Sequence, residues 1–120
     1  MTDVVQVVTM CGSERAANAL SRDAVNARLA ACGQVEGPVT STYRWEGSVE
    51  TAEEWRVTLK TAAARAGALE AFVLQHHPYD VPEVLRTPVV GGNPDYLAWV
   101  VAEVAPDRVT PAEVAPDEAR

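Results

Sequence analysis

The chain predicts an α+β domain, and three observations carry that expectation. A short valine-rich run opens the sequence, two long stretches of strict alternation fill its middle, and three segments with helical spacing are set around them. At 120 residues the chain fits one domain with a short tail. Such a domain has a small core, so burying further surface between subunits would add stability.

The elements follow in order. Val4–Met10 is rich in valine and ends at Cys11-Gly12, which suits a buried strand and a turn. Ser13 is placed to cap a helix, and Glu14 puts negative charge in its first turn. Ala17, Leu20, Ala24, Ala27 and Ala31 recur at helical spacing and give a narrow, small-residue face that can lie close to a sheet. The spacing predicts that this helix stops near Cys32-Gly33, with Gly33 as its cap.

The period then changes to two. Val39, Ser41, Tyr43 and Trp45 alternate with polar residues, Gly47-Ser48 allows a tight turn, and Val49 to Lys60 alternates again. Strands of about a dozen residues exceed the usual five or six. A hairpin of that length overhangs a small domain. Its aromatic tip, read as Tyr43, Trp45 and Trp55, needs another subunit to cover it.

A second helix is expected from about Ala63, with Ala66, Leu69, Phe72, Val73 and His76 on one face and Pro78 ending it. Pro82 opens a short strand, roughly Glu83 to Val89. Gly91-Gly92 turns the chain, and Asn93-Pro94-Asp95 starts a last, strongly apolar helix. The first six elements form the βαββαβ ferredoxin-like pattern, and the seventh is an added helix. The expected domain is residues 1–104. Residues 105–120 read as a flexible Pro/Ala/acidic tail in which Ala-Glu-Val-Ala-Pro-Asp occurs a second time.

Charge and cysteine usage exclude several functions. The net charge is −7, and Lys60 is the single lysine among ten basic residues. No basic cluster is present to neutralise phosphates, so nucleic acid and anionic membrane surfaces are not expected partners. A negative field instead attracts cations without specificity. No apolar run approaches the ~20 residues that span a bilayer, and the first residues do not resemble a targeting signal. Cys11 and Cys32 make no disulfide framework, and the chain reads as cytoplasmic with reduced thiols. No Ser-His-Asp set, Cys-x-x-Cys or metalloprotease motif is present, so the expected protein is not an enzyme and needs no organic cofactor.

Several segments, taken in their joint order and spacing, carry a resemblance. They are Arg28-Leu29-Ala30-Ala31-Cys32, Tyr43-Arg44-Trp45-Glu46-Gly47 and Leu59-Lys60-Thr61. The last is His76-His77-Pro78-Tyr79-Asp80-Val81-Pro82-Glu83, followed by Asn93-Pro94-Asp95-Tyr96-Leu97-Ala98-Trp99. From about residue 4 to 103 the chain resembles the CutA divalent-cation tolerance family. It departs from the usual pattern in Gly33-Gln34-Val35 and in Thr61-Ala62, which lacks a frequent arginine.

The resemblance implies a stable homotrimer of PII-like architecture, interlocked by its long hairpins and linked to tolerance of copper and other divalent metals. It implies copper ligands at Cys11, His76 and His77. It further implies an intersubunit cleft around Cys32, Tyr43, Trp45, Lys60, Tyr79, Glu83 and Trp99. Thiolate and imidazole are donors that hold copper or zinc. Read from the residues alone, two alternatives stay open. Cys11 packs as a small hydrophobe while His76 lies on its helix face and His77 caps the helix end. Lys60 and Glu83 form an ion pair or clamp a substrate. Cys32, taken to sit at a helix end, is expected to pack structurally. The competing functions are a PII-like small-molecule sensor and a scaffold for an unknown protein partner.

Overall fold

The computed structural model describes residues 1–106, so most of the expected tail, including the second Ala-Glu-Val-Ala-Pro-Asp copy, lies outside the described residues. The element order is β1 (Val4–Cys11), α1 (Glu14–Asn26), β2 (Cys32–Trp45), β3 (Ser48–Ala62), α2 (Ala66–His76), β4 (Val84–Pro88) and α3 (Pro94–Glu103). A single 3-10 turn, Ala63–Arg65, leads into α2. The four strands form one sheet in the order β2-β3-β1-β4, antiparallel at every junction. This is the ferredoxin-like arrangement with α3 added.

Strand alternation divides the sheet into two faces. Val7 and Cys11 of β1 stand opposite Leu59 and Trp55 of β3, on the side that α1 and α2 cover. There Val7, Val57 and Leu59 pack with Leu20 and Ala24 of α1 and with Leu69 and Val73 of α2. On the same face Arg86 of β4 donates to Glu70 of α2 at 2.6 Å. Gln6, Val8, Met10, Thr58 and Lys60 alternate onto the other face, together with Leu85 of β4, which is exposed.

Both expected N-caps form. Ser13 accepts from the Ala16 N–H at 3.1 Å, and Asn93 accepts from the Asp95 N–H at 3.0 Å ahead of Pro94. The end of α1 differs from expectation. The helix closes at Asn26 instead of near Cys32, and Arg28 takes a left-handed conformation (φ 59°). The Arg28 N–H bonds Val25 O and the Leu29 N–H bonds Ala24 O, the two bonds of a Schellman motif. Arginine bears this backbone because its side chain is held: Nη1 donates to the Glu103 carbonyl at 3.1 Å and lies 3.7 Å from its carboxylate. Cys32 therefore begins a strand and does not end a helix. Gly33 is a strand residue, needed because a Cβ there would collide with Ser21 Oγ and press on Leu59.

The hairpin also shifts by one residue. Trp45 pairs with Ser48, which leaves Glu46 (φ 49°) and Gly47 (φ 85°) as the turn, not Gly47-Ser48. Two positive φ values define the type I′ geometry that matches strand twist. Trp55 is not at the tip. It stands opposite Cys11 and packs half-buried against the core. β1 reaches β3 only from Ala62 to Trp55, whereas β2 follows β3 on to Ser48, across an irregularity between Glu36 and Val39. Beyond Trp55 the hairpin has no third strand beside it and overhangs the sheet.

Candidate functional site

β1 ends on Cys11, whose side chain is 1% exposed. Pro78 disfavours helical backbone at the preceding residue, and His77 is extended (ψ 137°) just past the end of α2. That change of direction turns the His77 ring inward, to 8% exposure, and brings its Nε2 within 4.0 Å of Cys11 Sγ across 66 residues of sequence. The ring is fixed at both nitrogens. The Tyr79 N–H donates to Nδ1 at 3.1 Å, so the proton sits on Nε2, which donates to the Met10 carbonyl at 2.7 Å.

His76 takes a different course. As the last residue of α2 it is exposed, stacks on Phe72 with ring centroids 4.0 Å apart, and donates from Nδ1 to the Phe72 carbonyl at 2.8 Å. Of the three sequence-proposed ligands, the fold thus brings together Cys11 and His77. His76 reaches back along its own helix. Burial, and next the charge of Glu54, push the Cys11 thiol above its ordinary value. Among the described residues no three His, Cys, Asp or Glu side chains gather as a metal-holding group.

Beside this pair a cleft of about 720 Å³ opens between the overhanging hairpin and the segment after Pro78. Tyr43, Trp45, Tyr79 and Glu83, four of the seven residues expected at an intersubunit cleft, line this cavity of the single chain. Within one chain the other three lie outside it. Lys60 donates to Gln34 at 2.6 Å and makes no pair with Glu83. Trp99 is on α3 with its ring against Tyr96. Cys32 lines a separate shallow cavity of about 540 Å³ between α1 and the start of β2.

Sequence reasoning missed Glu50, Glu54 and Asp80 on the cleft wall. The signal was present in the alternation. Glu50 stands directly opposite Tyr43 and therefore shares its face, and Glu54 follows two alternations later. Glu54 is held in place by the Tyr79 hydroxyl, which donates to its carboxylate at 3.1 Å. Burial first, then this hydrogen bond and nearby negative charge, push the Tyr79 phenol up to about 12.

Comparisons with known proteins bear on the family and the fold. The family model described as CutA1 divalent ion tolerance protein matches residues 5–103. Protein CutA of Homo sapiens is 40% identical over 102 residues, covering 83% of this chain and 57% of its own length. The divalent-cation tolerance protein CutA of Escherichia coli (strain E24377A) is 36% identical over 105 residues, covering 86% and 94%. The chain spans only 51–64% of the Mus musculus, Homo sapiens and Xenopus laevis relatives that it matches. Among solved structures, CutA from Xylella fastidiosa superposes with a TM-score of 0.83 at 36% identity, covering 86% of this chain and 99% of that one. The Thermus thermophilus divalent cation tolerance protein gives 0.79 at 35%, covering 82% and 95%. Sequence match, sheet order and fold agree along nearly all the described residues, and the chain belongs to the CutA divalent-ion tolerance family.

Proposed function

We propose that the protein is a non-enzymatic homotrimer that serves divalent-metal tolerance by taking up copper, with Cys11 and His77 as its protein donors. The single observation behind this reading is the approach of Cys11 Sγ to His77 Nε2 at 4.0 Å. Sulfur and nitrogen ligands of a tetrahedral metal stand about 3.6 Å apart, so the pair needs only a small adjustment to chelate. A thiolate with an imidazole is a soft donor set suited to copper. On uptake the Cys11 thiol loses its proton, and the single His77 ring proton moves from Nε2 to Nδ1 so that the neutral imidazole ligates through Nε2. Because the Cys11 thiol titrates above its ordinary value, uptake strengthens as pH rises. In the metal-free protein the Tyr79 N–H orients the His77 ring, and that bond is given up when Nδ1 takes the proton.

Two donors leave room for others from solvent or a neighbouring chain, which favours a site completed by assembly. The overhanging hairpin supports the trimer, with Trp45 50% and Tyr43 41% exposed. Cytoplasmic placement belongs to the same reading, since a buried free thiol suits a reducing compartment. X-ray absorption at the copper edge tests the ligand set. The expected spectrum contains a sulfur shell that disappears in Cys11→Ser, while His76→Ala leaves it intact. A spectrum with only nitrogen and oxygen scatterers in the unaltered protein contradicts the assignment.

A further inference from the structure

Cys32 is expected from the sequence to pack at a helix end, but it begins β2, is partly buried, and lines the cavity of about 540 Å³ between α1 and this edge strand. Cavities of about 300–1,000 Å³ are the size that holds small molecules. The chain carries a net charge of −7, yet no acidic side chain lines this cavity. Arg22 is its one charged lining residue, and the amides of Asn18 and Asn26 stand on the same helix. The Arg22 guanidinium meets the Asp23 carboxylate at 3.8 Å with both side chains exposed, a pair too weak to withhold it from another anion.

A second observation points to a ligand. Ser21 is only 8% exposed and lines the same cavity, and its hydroxyl has no hydrogen-bond partner among the described residues. A Cβ at Gly33 would strike that hydroxyl, so it points from α1 to the start of β2, next to Cys32. A buried hydroxyl without a partner is a cost that a polar occupant of the cavity relieves. One thiol, one guanidinium, one hydroxyl and two amides suit a thiol compound that carries a carboxylate and peptide groups. We propose that Cys32 forms a reversible mixed disulfide with a small carboxylate-bearing peptide thiol, seated in this cavity on Arg22 and Ser21. The partner arrives as its disulfide. The Cys32 thiolate attacks one sulfur, and the new S–S bond forms as the partner's own S–S bond breaks. The second half leaves as a thiolate and takes up, through solvent, the proton that Cys32 gave up. Cys32 is oxidised, the released half is reduced, and no other oxidant enters. Cys11, 1% exposed, stays a free thiol.

Mass spectrometry of the full chain, kept folded and treated with glutathione disulfide, tests the proposal. One adduct per chain is expected, placed at Cys32, removed by dithiothreitol and absent from Cys32→Ser. Its rate should saturate as the disulfide concentration rises, the sign of binding before exchange. Arg22→Gln, at an exposed position, should slow the reaction about tenfold, the loss expected for one hydrogen bond to a charged group. Ser21→Ala should slow it as well. Both variants should react like the parent with hydroxyethyl disulfide, which carries no carboxylate, so altered access to the thiol is told apart from lost recognition. Equal slowing with both disulfides would overturn the proposal, as would a rate that stays proportional to concentration. An adduct at Cys11, a disulfide-linked pair of chains, or modification only after unfolding in urea would overturn it too.

Discussion

At the scale of single residues, the site depends on how His77 is held. Its Nδ1 accepts from the backbone of Tyr79 while Nε2 donates to the backbone of Met10, so one imidazole joins the end of β1 to the segment after α2. Tyr79 carries the connection outward to Glu54 on the hairpin. This chain of contacts makes the region sensitive to alkali. The Tyr79 phenol is raised to about 12 in the folded protein against an ordinary value near 10. A raised acid binds its proton more tightly when folded, so the unfolded chain ionises first and stability is lost as pH climbs from about 10 to about 12. Tyr79→Phe should flatten that part of the profile. Urea unfolding at several alkaline pH values checks this, and an unchanged slope in the variant would contradict it. The resemblance named Cys11 with both histidines, but nothing in the sequence said which of the two reaches it. Adjacent His76 and His77 look equivalent on a helix, and only the extended backbone before Pro78 sends them apart.

At the scale of elements, local rules were legible and tertiary contacts were not. The caps at Ser13 and Asn93, the valine-rich first strand and the alternating hairpin follow from residue type and spacing. The end of α1 was misplaced because Arg28 in a left-handed conformation breaks the preference for glycine there. Its support comes from Glu103, 75 residues away, which no local reading supplies. Trp55 was assigned to the tip for a similar reason: alternation gives a face but not a position along the sheet, and the pairing with Cys11 fixes that position. Gly33, expected as a cap, instead permits the close approach of α1 to β2. Gly33→Ala drives a methyl group into Ser21 and Leu59, and overpacking of this kind costs about 1–3 kcal/mol. Thermal or chemical unfolding measures the loss, and a variant as stable as the parent would show that α1 can move aside.

At the scale of the whole molecule, the hairpin decides what the chain becomes. From Val39 to Glu54 it extends past the reach of β1, and it carries Tyr43, Trp45 and Val49 exposed. A monomer gains little from such a projection, whereas a neighbouring subunit can bury its apolar residues at about 25 cal/mol per Å². The sequence made this overhang readable through strand length alone. The acidic wall of the cleft was not read, because glutamates on a long exposed strand resemble ordinary solvated surface until the segment after Pro78 folds opposite them. Assembly and metal uptake are parts of one account, and native mass spectrometry of the reduced full chain titrated with copper reads both together. The account predicts a species of three chains carrying three copper ions, with Cys11→Ser/His77→Ala still trimeric but free of bound copper. A monomeric protein, or equal copper uptake by parent and variant, would contradict it.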